Sequence, residues 1–340
     1  MSQMTKKQNL TIDDIARELG VSKTTISRAI SGKGRIGAET RAKVLEYIEK
    51  CNYRPSAAAK GLAESRTYNL ALVLPKVFIK LDLPFTRMSM SAICEEAFTH
   101  DYNVLVCLST DDNPASLMRT LDNRKVDAVI LSRTVENDVL VEVLTKRGIP
   151  FATMGSLPRS QHGIAEVEAD HDQVGGCEAF SKVFLSGAKG KIAFVGNDMD
   201  YIVNQSRMTG FLRAIHEFGI PEEDIIFRTG VCGEPACSAV TDELLQLGVE
   251  NILTMDDDLC RFTMNRLKEK HIRVPEQVQV ASLYDSEQLE NYIPAVSALQ
   301  FDAAELGHAV CKELLCCLKG ENYDPKPILG YKICLRNSTR

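Results

Sequence analysis

TIDDIARELGVSKTTISRAI, residues 11–30, carries Ile12, Ile15, Ala16 and Leu19 at three- and four-residue intervals, which lays one apolar stripe along a first helix. Gly20 follows where such a helix closes in the left-handed region, and Ser22 is placed to cap a second helix. Within that helix Ile26, Ala29 and Ile30 turn back on the first, leaving Lys23, Thr24, Ser27 and Arg28 on the outer face. The pair reads as a helix-turn-helix, the arrangement that delivers its second helix into the major groove of DNA. A polar, cation-bearing outer face suits phosphates and base edges. A third stripe, Val44, Leu45, Ile48 and Cys51, begins after Thr40 and completes a three-helix unit. The same pattern also fits a plain small helical bundle.

At 340 residues, 44% apolar and 25% charged, the chain is long enough for two or three domains with cores of their own. No apolar run is long enough to span a membrane, and MSQMTKKQNL lacks the apolar stretch of a signal peptide, so a cytoplasmic protein is expected. Eleven cysteines make no disulfide-like framework, and Cys232 with Cys237 or Cys316 with Cys317 lack zinc spacing; reduced thiols and no metal are expected. Charge is divided along the chain. Residues 1–66 hold 13 Lys and Arg against 7 Asp and Glu, a balance of +6, whereas the remainder holds 27 against 39, or −12. A basic end on an acidic body fits a nucleic-acid-binding head on a small-molecule-binding body, although a solvated surface accounts for part of it.

From Asn69 onward the pattern changes. NLALVLP, YNVLVCL, DAVIL, PFATM, KIAFV and NILTM are short runs rich in Val, Ile and Leu, each followed by an amphipathic stretch. That alternation predicts an α/β body of parallel sheets covered by helices, with too many units for one small sheet. Between head and body, SAAAKGLAESR (residues 56–66) is a marginal helix alone, because so short a segment does not offset its nucleation cost in water. It folds only on binding, or it stays a flexible linker in which Leu62 packs on the body.

Val21-Ser22, Thr25, Ser27-Arg28, then Thr40-Arg41, Lys43-Val44, and Tyr53-Arg54-Pro55-Ser56 with Ala59 and Leu62 resemble the headpiece of the lactose-repressor (LacI/GalR) family of bacterial transcription regulators. The likeness continues through Arg207, Gly210-Phe211, the run Met255 to Leu259, Arg273-Val274-Pro275-Glu276 and Ile293-Pro294, and so covers almost the whole chain. The resemblance implies a helix-turn-helix head over 1–55, a hinge helix over 56–67 and an effector-binding, dimerising body over 68–340. In such a body two doubly wound subdomains of periplasmic-binding-protein type enclose the ligand. They are expected at about 68–167 with 298–325 and about 168–297 with 326–340. For DNA it implies base contacts from Lys23, Thr24 and Arg28, phosphate contacts from Ser22, Thr25, Ser27 and Thr40, and either role for Arg35. Leu62, paired with its dimer mate, would wedge into the minor groove of operator DNA.

For the cleft the resemblance implies effector contacts from Arg207 and Asp257, directional donor and acceptor for a polyhydroxylated ligand, and from Phe85 and Phe301, whose ring faces suit sugar CH groups. Arg133 and Tyr201 are further candidates. Each has a plainer reading: an ion pair for Arg207, a helix cap for Asp257, core packing for the phenylalanines. Asp256 and Asp258 read as capping or solvated carboxylates. Some positions depart from the family pattern: PKVFIKLDLPF is long, Ser282-Leu283-Tyr284 replaces a frequent Gly-Phe-Asp, Ser56 replaces Asn, and Gly37 stands at a cap usually Ser or Thr. The expectation is a sugar-responsive repressor binding DNA as a homodimer, without cofactor; a purine-type corepressor or a solute-binding protein is the alternative. No G-x-S-x-G, P-loop, H-E-x-x-H or dinucleotide fingerprint points to an enzyme.

Overall fold

Thr11 opens the first helix, α1 (Ile12–Leu19), through a reciprocal cap: Asp14 N donates to Thr11 Oγ1 at 3.3 Å, while Thr11 N donates to Asp14 Oδ2 at 3.0 Å. Gly20 closes it at φ 65° and ψ 29°, a left-handed turn that glycine adopts without strain. α2 (Lys23–Ser31) and α3 (Ala38–Lys50) follow, and the three close on Ile15, Ala16, Ile26, Ala29 and Val44. Leu45, expected in this core, is 44% exposed; the inward face of α3 runs through Val44, Tyr47 and Ile48 at helical spacing, so Tyr47 joins the core edge instead.

The computed structural model describes residues 10–31, 34–51, 53, 61, 64–75, 84–109, 114–161 and 163–340. The expected hinge, Leu62 included, and the long loop 76–83 fall mostly or wholly outside these. The chain divides into two units, one ending at Thr67 and the other beginning at Tyr68.

Among its described residues the second unit holds two six-stranded sheets. β1 (Asn69–Pro75), β2 (Asn103–Ser109), β3 (Ala128–Leu131), β4 (Phe151–Met154), β5 (Val167–His171) and β11 (Ile328–Leu329) build the first, in the order 11-5-4-3-1-2 and wholly parallel. β6 (Lys191–Val195), β7 (Ile225–Arg228), β8 (Val249–Thr254), β9 (Gln279–Ser282), β10 (Ser297–Gln300) and β12 (Lys332–Cys334) build the second, in the order 12-10-9-8-6-7, with only β12 antiparallel. In both, the order reverses beside the first strand, so each sheet has a switch point where ligands of doubly wound folds sit, beyond the carboxyl ends of β1 and β3 and of β6 and β8.

Among the described residues nine helices accompany the sheets: α4 (Pro84–Thr99), α5 (Ala115–Asp122), α6 (Val139–Arg147), α7 (Gln173–Ser186), α8 (Ile202–Phe218), α9 (Gly233–Gln246), α10 (Asp257–Glu269), α11 (Glu287–Glu290) and α12 (Ala303–Lys319). Strand alternation supplies both faces of the first sheet: Leu70, Leu72 and Leu74 pack with Ile93, Leu306 and Val310, while Ala71 and Val73 pack with Leu117, Leu121 and Leu144. In the second lobe Phe194 stacks on Phe211 at 5.0 Å. There α8 crosses α7 so closely that a Cβ on Gly210 would stand 2.6 Å from the Val174 carbonyl.

The chain changes sheet near Asp172, Phe301 and Gly330, rather than at the expected 168, 298 and 326. At the first of these the reason lies in VEADH, where Glu168 and Asp170 are buried in β5 because loop groups satisfy them. Glu168 accepts from Leu157 N and Gly163 N, and Asp170 from Ser156 N and Oγ. All eleven cysteines are unpaired. Among the described residues no helix is long and apolar enough to cross a membrane, and no cluster of His, Cys, Asp or Glu is placed to hold a metal ion.

Candidate nucleic-acid interface and ligand cleft

The outer face of α2 is polar and solvent-facing: Lys23, Thr24, Ser27 and Arg28 are exposed, as is Arg35 beyond the helix. Ser22 Oγ accepts from Thr25 N at 3.1 Å and shares a hydrogen bond with Thr25 Oγ1 at 2.9 Å. That cap fixes where the helix starts, and engages two of the hydroxyls expected at phosphate. Thr25 and Thr40 are half-buried. The Lys23 ammonium pairs with Asp13 of α1, with both side chains largely exposed. Such a pair holds little energy and yields readily to a phosphate or a guanine edge.

In the second unit the polar groups converge at the carboxyl ends of the strands. Arg207, in the second turn of α8, is only 9% exposed. Its guanidinium donates to the Met255 carbonyl at 3.2 Å and lies 5.4 Å from the centroid of the Tyr284 ring, while its Nε, cut off from solvent, has no hydrogen-bond partner among the described residues. Asp257 opens α10, and it is Asp256, not Asp257, that caps this helix, accepting from Leu259 N at 2.9 Å. Asp256 also accepts from Asn197, which in turn accepts from Asn204. Burial pushes the Asp256 carboxyl up to about 6, with Asp257 adding and Arg207 opposing. Burial likewise raises Asp257; Asp258 adds to this, while Arg207 and the Ser286 hydroxyl, which is near it but makes no hydrogen bond in this structure, oppose it. Asp258 is occupied elsewhere, in an ion pair with Arg261 at 2.9 Å.

Rings from both lobes close on these charges. Phe85, in the first turn of α4, meets Tyr284 edge-on at 6.1 Å, and Phe301 tilts against His171 at 5.1 Å. Tyr284, with its phenol raised by burial, therefore bridges Phe85 and Arg207. Neither Tyr284 nor His171 is among the expected site residues; the departure from Gly-Phe-Asp at 282–284 is the one signal for the tyrosine, and no motif marks the histidine. Arg133 and Tyr201 instead pair with each other at 5.2 Å, where Val135 and Tyr201 form a backbone bridge between the lobes, flanked by Glu136 N to Asp200 O at 3.0 Å and Ile202 N to Thr134 O at 3.1 Å. A separate hollow along Glu178, Thr209, Leu212, Arg213, His216 and Glu217 shares none of these groups, and its carboxylates already pair with Lys182 and Arg213.

Residues 11–56 match the family described as bacterial regulatory proteins, lacI family, and residues 186–339 match that described as a periplasmic binding protein-like domain. Catabolite control protein A of Priestia megaterium is 26% identical over 339 residues, covering 98% of this chain and 100% of the relative. Among solved structures, the lac repressor dimer bound to operator and the anti-inducer ONPF aligns with a TM-score of 0.79 at 19% identity, over 98% of this chain and 99% of its own. A complex of the transcriptional regulator CelR with cellobiose aligns with a TM-score of 0.71 at 22% identity, over 97% and 99%. These two likenesses are of fold.

Proposed function

Because the chain belongs to the LacI family of bacterial regulatory proteins, whose members are regulators rather than enzymes, we propose that it is a repressor that binds operator DNA as a dimer and answers to an uncleaved small-molecule effector. The observation that carries this reading is the outer face of α2, where Lys23, Thr24, Ser27 and Arg28 stand exposed on a capped helix whose other side is locked into the head's core. Lys23, Thr24 and Arg28 read bases; Ser22, Thr25, Ser27 and Thr40 hold phosphates, with Arg35 in either role. Two heads on two-fold-related half-sites require a near-palindromic operator. Leu62 is assigned to the central minor-groove step on the resemblance alone.

The effector is a sugar or sugar derivative held by Arg207, Asp257, Phe85 and Phe301. A donor and an acceptor facing ring surfaces suit hydroxyls alternating with CH groups, and CelR was solved with cellobiose. Ligand held across both lobes alters the balance between lobe arrangements, and by linkage DNA alters ligand affinity by the same factor. Selection on randomised DNA sites tests the reading: Lys23→Ala and Thr24→Ala each change the preferred half-site, with a lost base contact costing about 1–3 kcal/mol. An unchanged preference in both variants would refute the assignment.

A further inference from the structure

His171 ends β5 at the first passage between the sheets and is 3% exposed. Its Nε2 lies 3.1 Å from the Asp302 carbonyl, which only accepts, so this nitrogen carries the proton. The ring is neutral, because burial brings the imidazole down to about 4, with the Asp302 carbonyl opposing and Arg207 adding. Nδ1 is then a bare lone pair, cut off from solvent and without a hydrogen-bond partner among the described residues. Two more buried polar atoms are orphaned with it: Arg207 Nε, a donor whose charge acts on this ring, and Gln173 Oε1, an acceptor two residues further on. Unmet buried groups are costly and persist where a ligand satisfies them. The ring also packs on Phe301, at the carboxyl end of β10.

We propose that His171 contacts the effector, its Nδ1 accepting a hydrogen bond from a hydroxyl or N–H of an uncharged hydroxylated ring compound whose neighbouring oxygen is held by Arg207. This rests on the cleft assignment above and narrows its ligand class. Arg207's charge acts on Asp170, Asp256 and Asp257 alike, opposing the rise that burial gives each, so three carboxyl groups share the field of one guanidinium. An anionic effector adds a fourth negative charge in a poorly solvated site and also meets the Nδ1 lone pair, whereas a neutral hydroxyl supplies the donor that Nδ1 lacks. His171 joins the first passage to the second through its bond to Asp302, so a ligand on Nδ1 loads the joint between lobes directly.

Calorimetry and thermal shift on the full chain, with glucose, ribose, maltose and cellobiose beside glucose 6-phosphate and ribose 5-phosphate, test this. A neutral sugar binds, and its phosphate binds at least about tenfold more weakly. His171→Phe fills the same space without a nitrogen and lowers affinity by about ten- to a hundredfold, whereas His171→Asn, with a carbonyl near the Nδ1 position, restores most of it. In the wild-type protein the nitrogen-15 resonance of His171 Nδ1 moves upfield on saturation, a readout that needs no variant to fold. Wild-type affinity in His171→Phe, an unmoved resonance, tighter binding of a phosphate, or no response to any member overturns the proposal. Arg207→Ala separates the two levels: if it loses affinity while His171→Phe does not, the cleft stands and only the histidine's role falls; if both bind like wild type, the cleft itself is misassigned.

Discussion

Lowering the pH from 8 to 5 should destabilise the wild-type protein through His171, and a single substitution should remove that part of the loss. The imidazole is brought down from its ordinary 6.5 to about 4 by burial. The folded chain therefore binds fewer protons at this site than the unfolded chain. The contribution is fully present above 6.5, is lost progressively as the pH falls, and is gone below about 4. Each tenfold difference in proton affinity between the two states is worth about 1.36 kcal/mol, so the deficit reaches about 2 kcal/mol at pH 5 and about 3 kcal/mol at pH 4. His171→Phe lacks the titrating group but also lacks the bond to Asp302, a loss of about 1 kcal/mol at every pH. Asp170 and Asp256, raised by burial, titrate in the opposite sense in both proteins and largely cancel in the difference. Urea unfolding followed by circular dichroism should thus show the wild-type advantage at pH 8 reversing by pH 5. A wild-type-minus-variant difference that stays within about 0.5 kcal/mol across this range would refute the claim that a buried neutral imidazole is built into the fold.

Gly210→Ala should lower the melting temperature and weaken the ligand response together. The new methyl meets the Val174 carbonyl at 2.6 Å, a backbone atom that cannot turn aside, and moves α8 one turn from Arg207; overpacking of this kind costs about 1–3 kcal/mol, and unaltered ligand affinity would show that the two helices adjust without disturbing the guanidinium. Ser22→Ala should cost the head about 1 kcal/mol by removing the cap of α2, read as loss of operator affinity without a change in preferred sequence; a changed preference would place Ser22 among the base-reading residues.

The head was legible because its stripes repeat at helical spacing with Gly20 and Ser22 as punctuation, local chemistry that needs no knowledge of the rest of the chain. The runs read as strands correspond to β1, β2, β3, β4, β6 and β8, most of them buried on both faces. Hydropathy failed at β5, where Glu168 and Asp170 are buried among loop amides and a hydroxyl drawn from residues 156–163 and His171 against Phe301 and the Asp302 carbonyl. Burial there is set by partners distant from the strand itself. β11 and β12, two and three residues long, exist only through pairing with β5 and β10. Arg207 and Asp257 carried recognisable motifs. Tyr284 entered only as a departure from one, since a tyrosine after a strand is ordinarily core, and what distinguishes it is the company of Phe85 and Arg207.

The last stretch of chain gives one edge strand to each sheet, β11 beside β5 and β12 beside β10, and Ser338 then ties down Val280 and Ser297. During synthesis, therefore, neither lobe has its full complement of strands until residue 329 has left the ribosome, and the second must wait for 334. A prematurely ended product would expose unpaired strand edges on both lobes at once, a surface prone to association. A basic head released alone by such a product would still be attracted to DNA phosphates, but with nothing to report on metabolite supply. Because β11 and β12 follow every other strand of their sheets in sequence, each lobe's last edge closes only after the rest of that sheet has been made, and a fragment ending before residue 328 would leave β5 and β10 open to such association.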